Sequence, residues 1–223
     1  MAVESSGGGT VALNVCGETL LLHPERAIIW PAARTLLIAD PHFGKDDVFR
    51  RAGIALPTGT ANTDLARLTG LIEAHACDRV LVLGDFVHAA TRAGDEFLVA
   101  FSEWRASHPD LVVEVIAGNH DRREQLARWR GVIEWHPTSC FHPPFVFSHA
   151  PVADPRGYVI AGHLHPVFHL SRMRRRLRVP VFWQRPEMLV LPSFGSFTGG
   201  AVVRPAPTDS LYAVGPERIV RIQ

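Results

Sequence analysis

Lysine is almost missing from this chain: Lys45 is the only one, and the other 22 basic residues are arginines. Set against 22 acidic residues they leave a net charge of +1, which excludes a polycation that binds nucleic acid through bulk charge. Cysteine is scarce too. Cys16, Cys77 and Cys140 are far apart, odd in number and form no C-x-x-C pair, which argues against a disulfide framework or a zinc ribbon. They read as reduced thiols, in keeping with a cytoplasmic setting. No apolar run approaches the length needed to cross a bilayer, so no membrane partner is expected. The start of the chain lacks the basic and apolar segments of a signal peptide, and residues 1–9, with their Ser/Gly stretch, read as a flexible tail. A G-x-S-x-G elbow and a P-loop lysine motif are also missing, so a serine hydrolase or an NTPase would need unrelated residues.

What is present suits a folded domain. Hydrophobic residues make up 47% and charged residues 20%, and neither a low-complexity linker nor an internal repeat divides residues 1–223. Val11–Val15 and Thr19–His23 flank a Cys-Gly turn and predict a hairpin. Ala27–Trp30, Thr35–Ala39, Arg79–Leu83 and Leu111–Ala117 read as strands. Leu65, Leu68, Leu71 and Ile72 predict a helix within Thr60–Ala76, and Phe97, Phe101 and Trp104 mark the packed face of another. This alternation implies an α/β fold with a largely parallel sheet. After Glu134 helical periodicity nearly disappears, and Phe145–Phe147, Tyr158–Ala161, Val179–Phe182 and Met188–Leu191 predict a second, mixed or antiparallel sheet.

Metal-binding residue types recur directly after these strands: Asp40-Pro41-His42, Gly84-Asp85-Phe86-Val87-His88, Gly118-Asn119-His120-Asp121, Ser148-His149 and Gly162-His163-Leu164-His165. Strand C-terminal ends converge on one edge of an α/β sheet, so five distant segments can share one pocket. Asp, Asn and His without thiolate suit Mn, Fe or Zn in a non-structural site. About seven ligands are too many for one tetrahedral ion but suit two ions sharing a carboxylate, an arrangement that hydrolyses phosphate esters. Taken singly, Asp40 and Asp85 could be caps or turn residues, Asn119 a turn residue, and His163 and His165 core histidines; taken together and in order, ligation accounts for them better. His120, beside a ligand, is placed to protonate a leaving oxygen, with Asp121 to orient it. His88 fits support of a ligand, substrate contact or plain surface. His23, His75, His108, His136, His142 and His169 lack a motif and read as ordinary histidines.

In their order these motifs resemble the calcineurin-like metallophosphoesterase superfamily across almost the whole chain. Ala39–Lys45, Phe49–Ile54 and Leu191–Gly200 more closely resemble the bacterial ligase-associated DNA damage response endonucleases. The resemblance implies a four-layer α/β/β/α sandwich of two mixed sheets and two manganese ions. Asp40, His42 and His165 would hold one ion, Asn119, His149 and His163 the other, and Asp85 would bridge them, with His120 facing the scissile phosphate. It also implies endonuclease or phosphodiesterase action on single-stranded or flexible DNA, in repair, beside a ligase, a helicase and a nuclease. Pro41 stands where this family is expected to have leucine; it should bias Asp40 towards extended backbone.

A small-molecule phosphodiesterase or phosphomonoesterase is the alternative with the same metals, and a non-catalytic binding scaffold the alternative of another class. A scaffold can lose ligands or the phosphate-facing histidine, and here every such position is filled. Arginine in quantity has a bland account in coding bias and a functional one in bidentate phosphate recognition. Arg172 to Arg178 is the densest cluster. As one strand it would align Arg172, Arg174, Arg176 and Arg178; as a hairpin it would place Arg174, Arg175 and Arg176 at the tip. Arg50 and Arg51 could serve the same groove. A solvated charge run is the competing reading.

Overall fold

The computed structural model describes residues 4–6, 9–53, 60–88, 95–121, 129, 131–172, 175–196 and 198–223. The first sheet runs in chain order: β1 (Glu4–Ser6), β2 (Thr10–Val15), β3 (Glu18–His23), β4 (Ala27–Trp30), β5 (Thr35–Ala39), β6 (Arg79–Leu83), β7 (Val112–Ile116) and β8 (Glu134–His136). Hairpin-length connections make β1 to β5 antiparallel, whereas β5 to β8 are parallel, as crossover connections require. Part of the expected tail is therefore paired: Glu4–Ser6 add an edge strand to Thr10–Ala12. β1 pairs with the backbone of β2 on that side, and Gly9, at φ +79°, helps the chain reverse.

The second sheet contains β9 (Ser139–His142), β10 (Phe145–Ser148), β11 (Tyr158–Ala161), β12 (Val167–Arg172), β13 (Arg175–Arg185), β14 (Met188–Val190), β15 (Ser210–Val214) and β16 (Ile219–Arg221). Its order is β16-β15-β13-β14-β11-β10-β9, with β12 paired to β13. The sheet is mixed, because β10, β11 and β14 are parallel neighbours while the other pairs are antiparallel.

Strand alternation sorts the core. Leu37, Ala39, Leu81 and Leu83 face the second sheet and meet Phe145, Phe147, Ile160, Phe182 and Leu189 in a buried layer. Leu36, Ile38, Val80, Val82, Val113 and Val115 face outwards, against α2 (Thr60–Ala74) and α3 (Glu96–Ser107), which contribute Leu65, Leu68, Leu71, Phe97, Phe101 and Trp104. The expected α/β class and two mixed sheets are present. The helices α1 (Lys45–Arg51), α2 and α3 all belong to the first half; among the described residues, no α-helix follows it, and the second sheet's outer clusters are built from strand and loop residues. Sequence periodicity gave no sign of α1, whose seven residues are too few to show a repeat.

Phe86 ties this packing to the strand edge where the polar motifs lie. It is 1% exposed, and its ring lies 5.3–6.1 Å from those of Phe43, Phe97, Phe101, Trp129 and Trp135. Phe86→Ala should cost about 3–5 kcal/mol of stability, the usual range for emptying a buried aromatic site. Urea unfolding of the metal-free protein would measure it, and a loss below about 1 kcal/mol would show that the cage does not hold this edge.

Candidate metal centre

The parallel strands β5, β6 and β7 end side by side, as do β10 and β11 in the facing sheet. Beyond those ends the chain leaves ordinary backbone space. Asp40, His42, Asp85, His163 and His165 all have φ between +44° and +69°, a region that costs non-glycine residues strain. The bias expected from Pro41 yields here, since Asp40 sits at φ +47° rather than extended. Tertiary bonds account for it: Oδ2 of Asp40 accepts the His163 N–H at 2.7 Å, and its carbonyl accepts the Ser193 hydroxyl at 2.7 Å.

All seven expected ligands converge. Nε2 of His149 lies 2.9 Å from Oδ1 of Asn119 and 2.9 Å from Nδ1 of His163. Nε2 of His165 is 3.5 Å from Oδ2 of Asp40. Between the groups, Oδ2 of Asp85 is 3.6 Å from Nε2 of His42 and 3.8 Å from Nε2 of His149. Donor atoms on adjacent corners of a six-coordinate divalent ion, with bonds near 2.1 Å, lie about 3 Å apart. The Asn119–His149–His163 spacing is close to that value.

Several observations fit these residues to cations. Asp40 Oδ1 and His165 Nε2 are buried without a hydrogen-bond partner, an arrangement that needs a reason in a native site. Asp40 and Asp85 are 0% and 3% exposed, so two carboxylates sit out of water. Burial alone would raise the pKa of Asp40, but His149 and His165 outweigh it and hold the group low. Burial would likewise lower His149, but Asp40 and Asp85 raise it, so the pocket draws positive charge. His42, lowered by burial to about 3, is neutral at pH 7 with a lone pair to give. Backbone crowds the cluster closely: a Cβ on Gly118 would fall 2.2 Å from Oδ1 of Asp85, and one on Gly162 2.5 Å from Oδ2 of Asp40. Only glycine allows those approaches.

The chain matches the family model described as calcineurin-like phosphoesterase over residues 33–219. It belongs to the calcineurin-like phosphoesterase family. The phosphoesterase is similar to the crystal structure of Pseudomonas putida nuclease MPE, with 37% identity, a TM-score of 0.82, and coverage of 95% of this chain and 100% of that one. Yfce, a phosphoesterase from E. coli, aligns at 15% identity and a TM-score of 0.45, over 84% of this chain and 97% of its own. No curated protein matches the chain. The protein is thus a metal-dependent phosphoesterase, of a family that uses a dinuclear centre, and among its described residues no helix is long and apolar enough to cross a membrane.

Around these seven residues the phosphoesterase departs from some sequence expectations. His120 is half-buried, its N–H donates to Oδ1 of Asp85 at 2.9 Å, and its Nδ1 lies 3.1 Å from the His88 carbonyl. Asp121, expected to orient His120, instead accepts the N–H groups of Gly118, Phe86 and Val87 at 2.9–3.1 Å. Burial leaves its carboxyl with a raised pKa despite those bonds. Asp121 therefore joins the β6 and β7 loops, because three backbone donors lie nearer than an imidazole. His88 stacks on His120 with ring centroids 5.3 Å apart, and its Nδ1 is 3.4 Å from Nδ1 of His42. Burial, then Lys45 and His120, lower its pKa to about 4.

Arg50 and Arg51 are not free charges: Arg50 pairs with Asp46, Asp47 and Glu96, and Arg51 with Asp95. The cluster from Arg172 forms a hairpin, with Arg172 opposite Arg175. Arg174 lies outside the described residues, as does the side chain of Arg175; Arg176 is exposed. Sequence reasoning gave no role to Arg67. Its guanidinium lies over the Phe194 ring and donates to the Phe194 carbonyl, fixing the Leu191–Gly200 segment, while Phe194 N–H and Ser193 Oγ bind Ala39 and Asp40. A lone arginine in a polar helix face carries no signal of that contact.

Proposed function

We propose that this phosphoesterase is a two-metal nuclease that hydrolyses phosphodiester bonds in single-stranded or flexible DNA, most naturally in repair. The similarity to a nuclease over nearly the full length carries this reading. Asp40, His42 and His165 would hold one divalent ion, Asn119, His149 and His163 the second, and Asp85 would bridge them. Manganese suits this oxygen and imidazole set, and iron or zinc would also fit it. Two such ions would supply a water ionised near neutral pH and the positive charge that a phosphoryl transition state needs. His120 would donate a proton to the leaving oxygen, held in place by the His88 carbonyl. His88, neutral at pH 7, would accept from His42 and keep that ligand's other nitrogen towards the metal. A ligase, a helicase and a further nuclease are the expected functional companions, and the cytoplasm the expected setting.

The β12–β13 hairpin supports a polyanionic substrate. It starts two residues after His165, and Arg178 at its base donates to the Gly200 carbonyl of the same loop cluster. Arginines along this hairpin would draw a polyanion towards the candidate metal centre. Metal-loaded protein should cut circular single-stranded DNA, and Arg174, Arg175 and Arg176 replaced together by Ser should lower that cleavage at least tenfold. Hydrolysis of a small chromogenic phosphodiester should change less than twofold. For every arginine that neutralises a phosphate, its removal should flatten the log–log salt dependence by roughly 0.7–0.9. Equal losses on both substrates would refute the hairpin's role, and no cleavage of circular DNA beside brisk hydrolysis of the small ester would favour the small-molecule alternative.

A further inference from the structure

A second cluster of ligand-type side chains lies at the open edge of the sandwich, away from the catalytic centre. β8 and β9 are the edge strands of the two sheets and are joined by a two-residue turn. Alternation along β7 turns Glu114, with Ile116, towards the space between the sheets. His136 faces the same way from β8, and Cys140 and His142 share one face of β9. Four side chains from three strands thus meet in a region otherwise filled by Phe145, Phe147 and Ile116.

We propose that Glu114, Cys140 and His142 form a metal site of the zinc class, with His136 as the adjoining fourth group, which braces the two sheet edges. Glu114 is 3% exposed. Its Oε1 is held by Nη1 of Arg79 at 3.1 Å, which leaves Oε2 turned to Nε2 of His136 at 2.7 Å and Nε2 of His142 at 3.8 Å. The ligand atoms of Glu114, Cys140 and His142 all lie within 4.8 Å of one another. Tetrahedral zinc, with bonds of about 2.0–2.3 Å, needs its donors roughly 3.3–3.8 Å apart, so closure by about an ångström completes the site. His142 is part-exposed and gives an ion a way in.

The donor chemistry is what separates this cluster from a buried ion pair. Arg79 and His136 already satisfy the Glu114 carboxylate, which accounts for neither the thiol nor the second imidazole beside it. Thiolate with imidazole and carboxylate selects zinc or cobalt over manganese or magnesium. Coordination would ionise Cys140, with its proton released to solvent. The two carboxylates of Glu114 and Glu134 and the thiolate then balance the ion and Arg79. None of these residues belongs to the catalytic centre, whose donors are all oxygen and nitrogen.

That difference supplies the test. Cobalt(II) added to the metal-free protein, under a non-thiol reductant, should produce a near-ultraviolet thiolate-to-cobalt charge-transfer band. Its intensity should level off at the value for one cobalt–thiolate bond per chain, whatever cobalt the catalytic centre also takes up, and zinc should erase it. Cys140→Ser should abolish it, and Cys77→Ser should leave it unchanged. His142→Asn, at a part-exposed position less exposed to folding defects, should weaken cobalt binding at the band at least tenfold. A missing band, a band that survives Cys140→Ser, or unchanged affinity in His142→Asn would each overturn the site.

Discussion

Asp85→Asn is expected to strip both catalytic metal positions and to lower phosphodiester hydrolysis by roughly a thousandfold or more, on the order of 4 kcal/mol of barrier. The substitution keeps the shape of the side chain and the oxygen that accepts the His120 N–H. It removes the charge that lies 3.6 Å from His42 and 3.8 Å from His149, between the two ligand groups. Asp40 is the other buried carboxylate of the pocket, with Oδ2 3.5 Å from Nε2 of His165 and Oδ1 3.3 Å from Nδ1 of His149, so Asp40→Asn is the control that shows whether the effect belongs to Asp85. Metal content after desalting, together with hydrolysis of a small chromogenic diester, would measure the effect. Retention of both ions with near-normal turnover would show that Asp85 does not bridge.

His120→Ala should behave differently, lowering turnover by about 10²–10⁴ while metal content stays within error of the parent protein. What matters to the metals is the hydrogen bond from the His120 backbone N–H to Asp85, and alanine preserves it. The substitution removes an imidazole held at 3.1 Å from the His88 carbonyl and 5.1 Å, ring to ring, from His42. The drop should be smaller for diesters with a good leaving group, which need little protonation. Loss of both ions in this variant would identify His120 as a ligand instead of an acid.

The convergence of the seven candidate ligands was legible in the sequence because its signals are local. Each group follows a short apolar run, and the parallel order of β5, β6 and β7 then brings the run ends together. Left-handed backbone at Asp40, His42, Asp85, His163 and His165 was not legible, since it is imposed by distant bonds such as Asp40 to His163. Asp121 shows the same limit. Its neighbour in sequence is His120, but two of its three amide partners, Phe86 and Val87, are in the β6 loop, over 30 residues away. Arg50 and Arg51 read as available charge only until α1 and the start of α3 bring acids to them. His136 and His142 carried no motif because their common partner, Glu114, comes from a strand more than 20 residues earlier.

Anomalous diffraction from crystals of the manganese-loaded protein would decide whether the centre is dinuclear and bridged. Two manganese peaks roughly 3.5–4 Å apart are expected, one against Asp40, His42 and His165, the other against Asn119, His149 and His163, with the Asp85 carboxylate between them. A single peak in that pocket, or two with Asp85 turned away from both, would contradict the bridged pair.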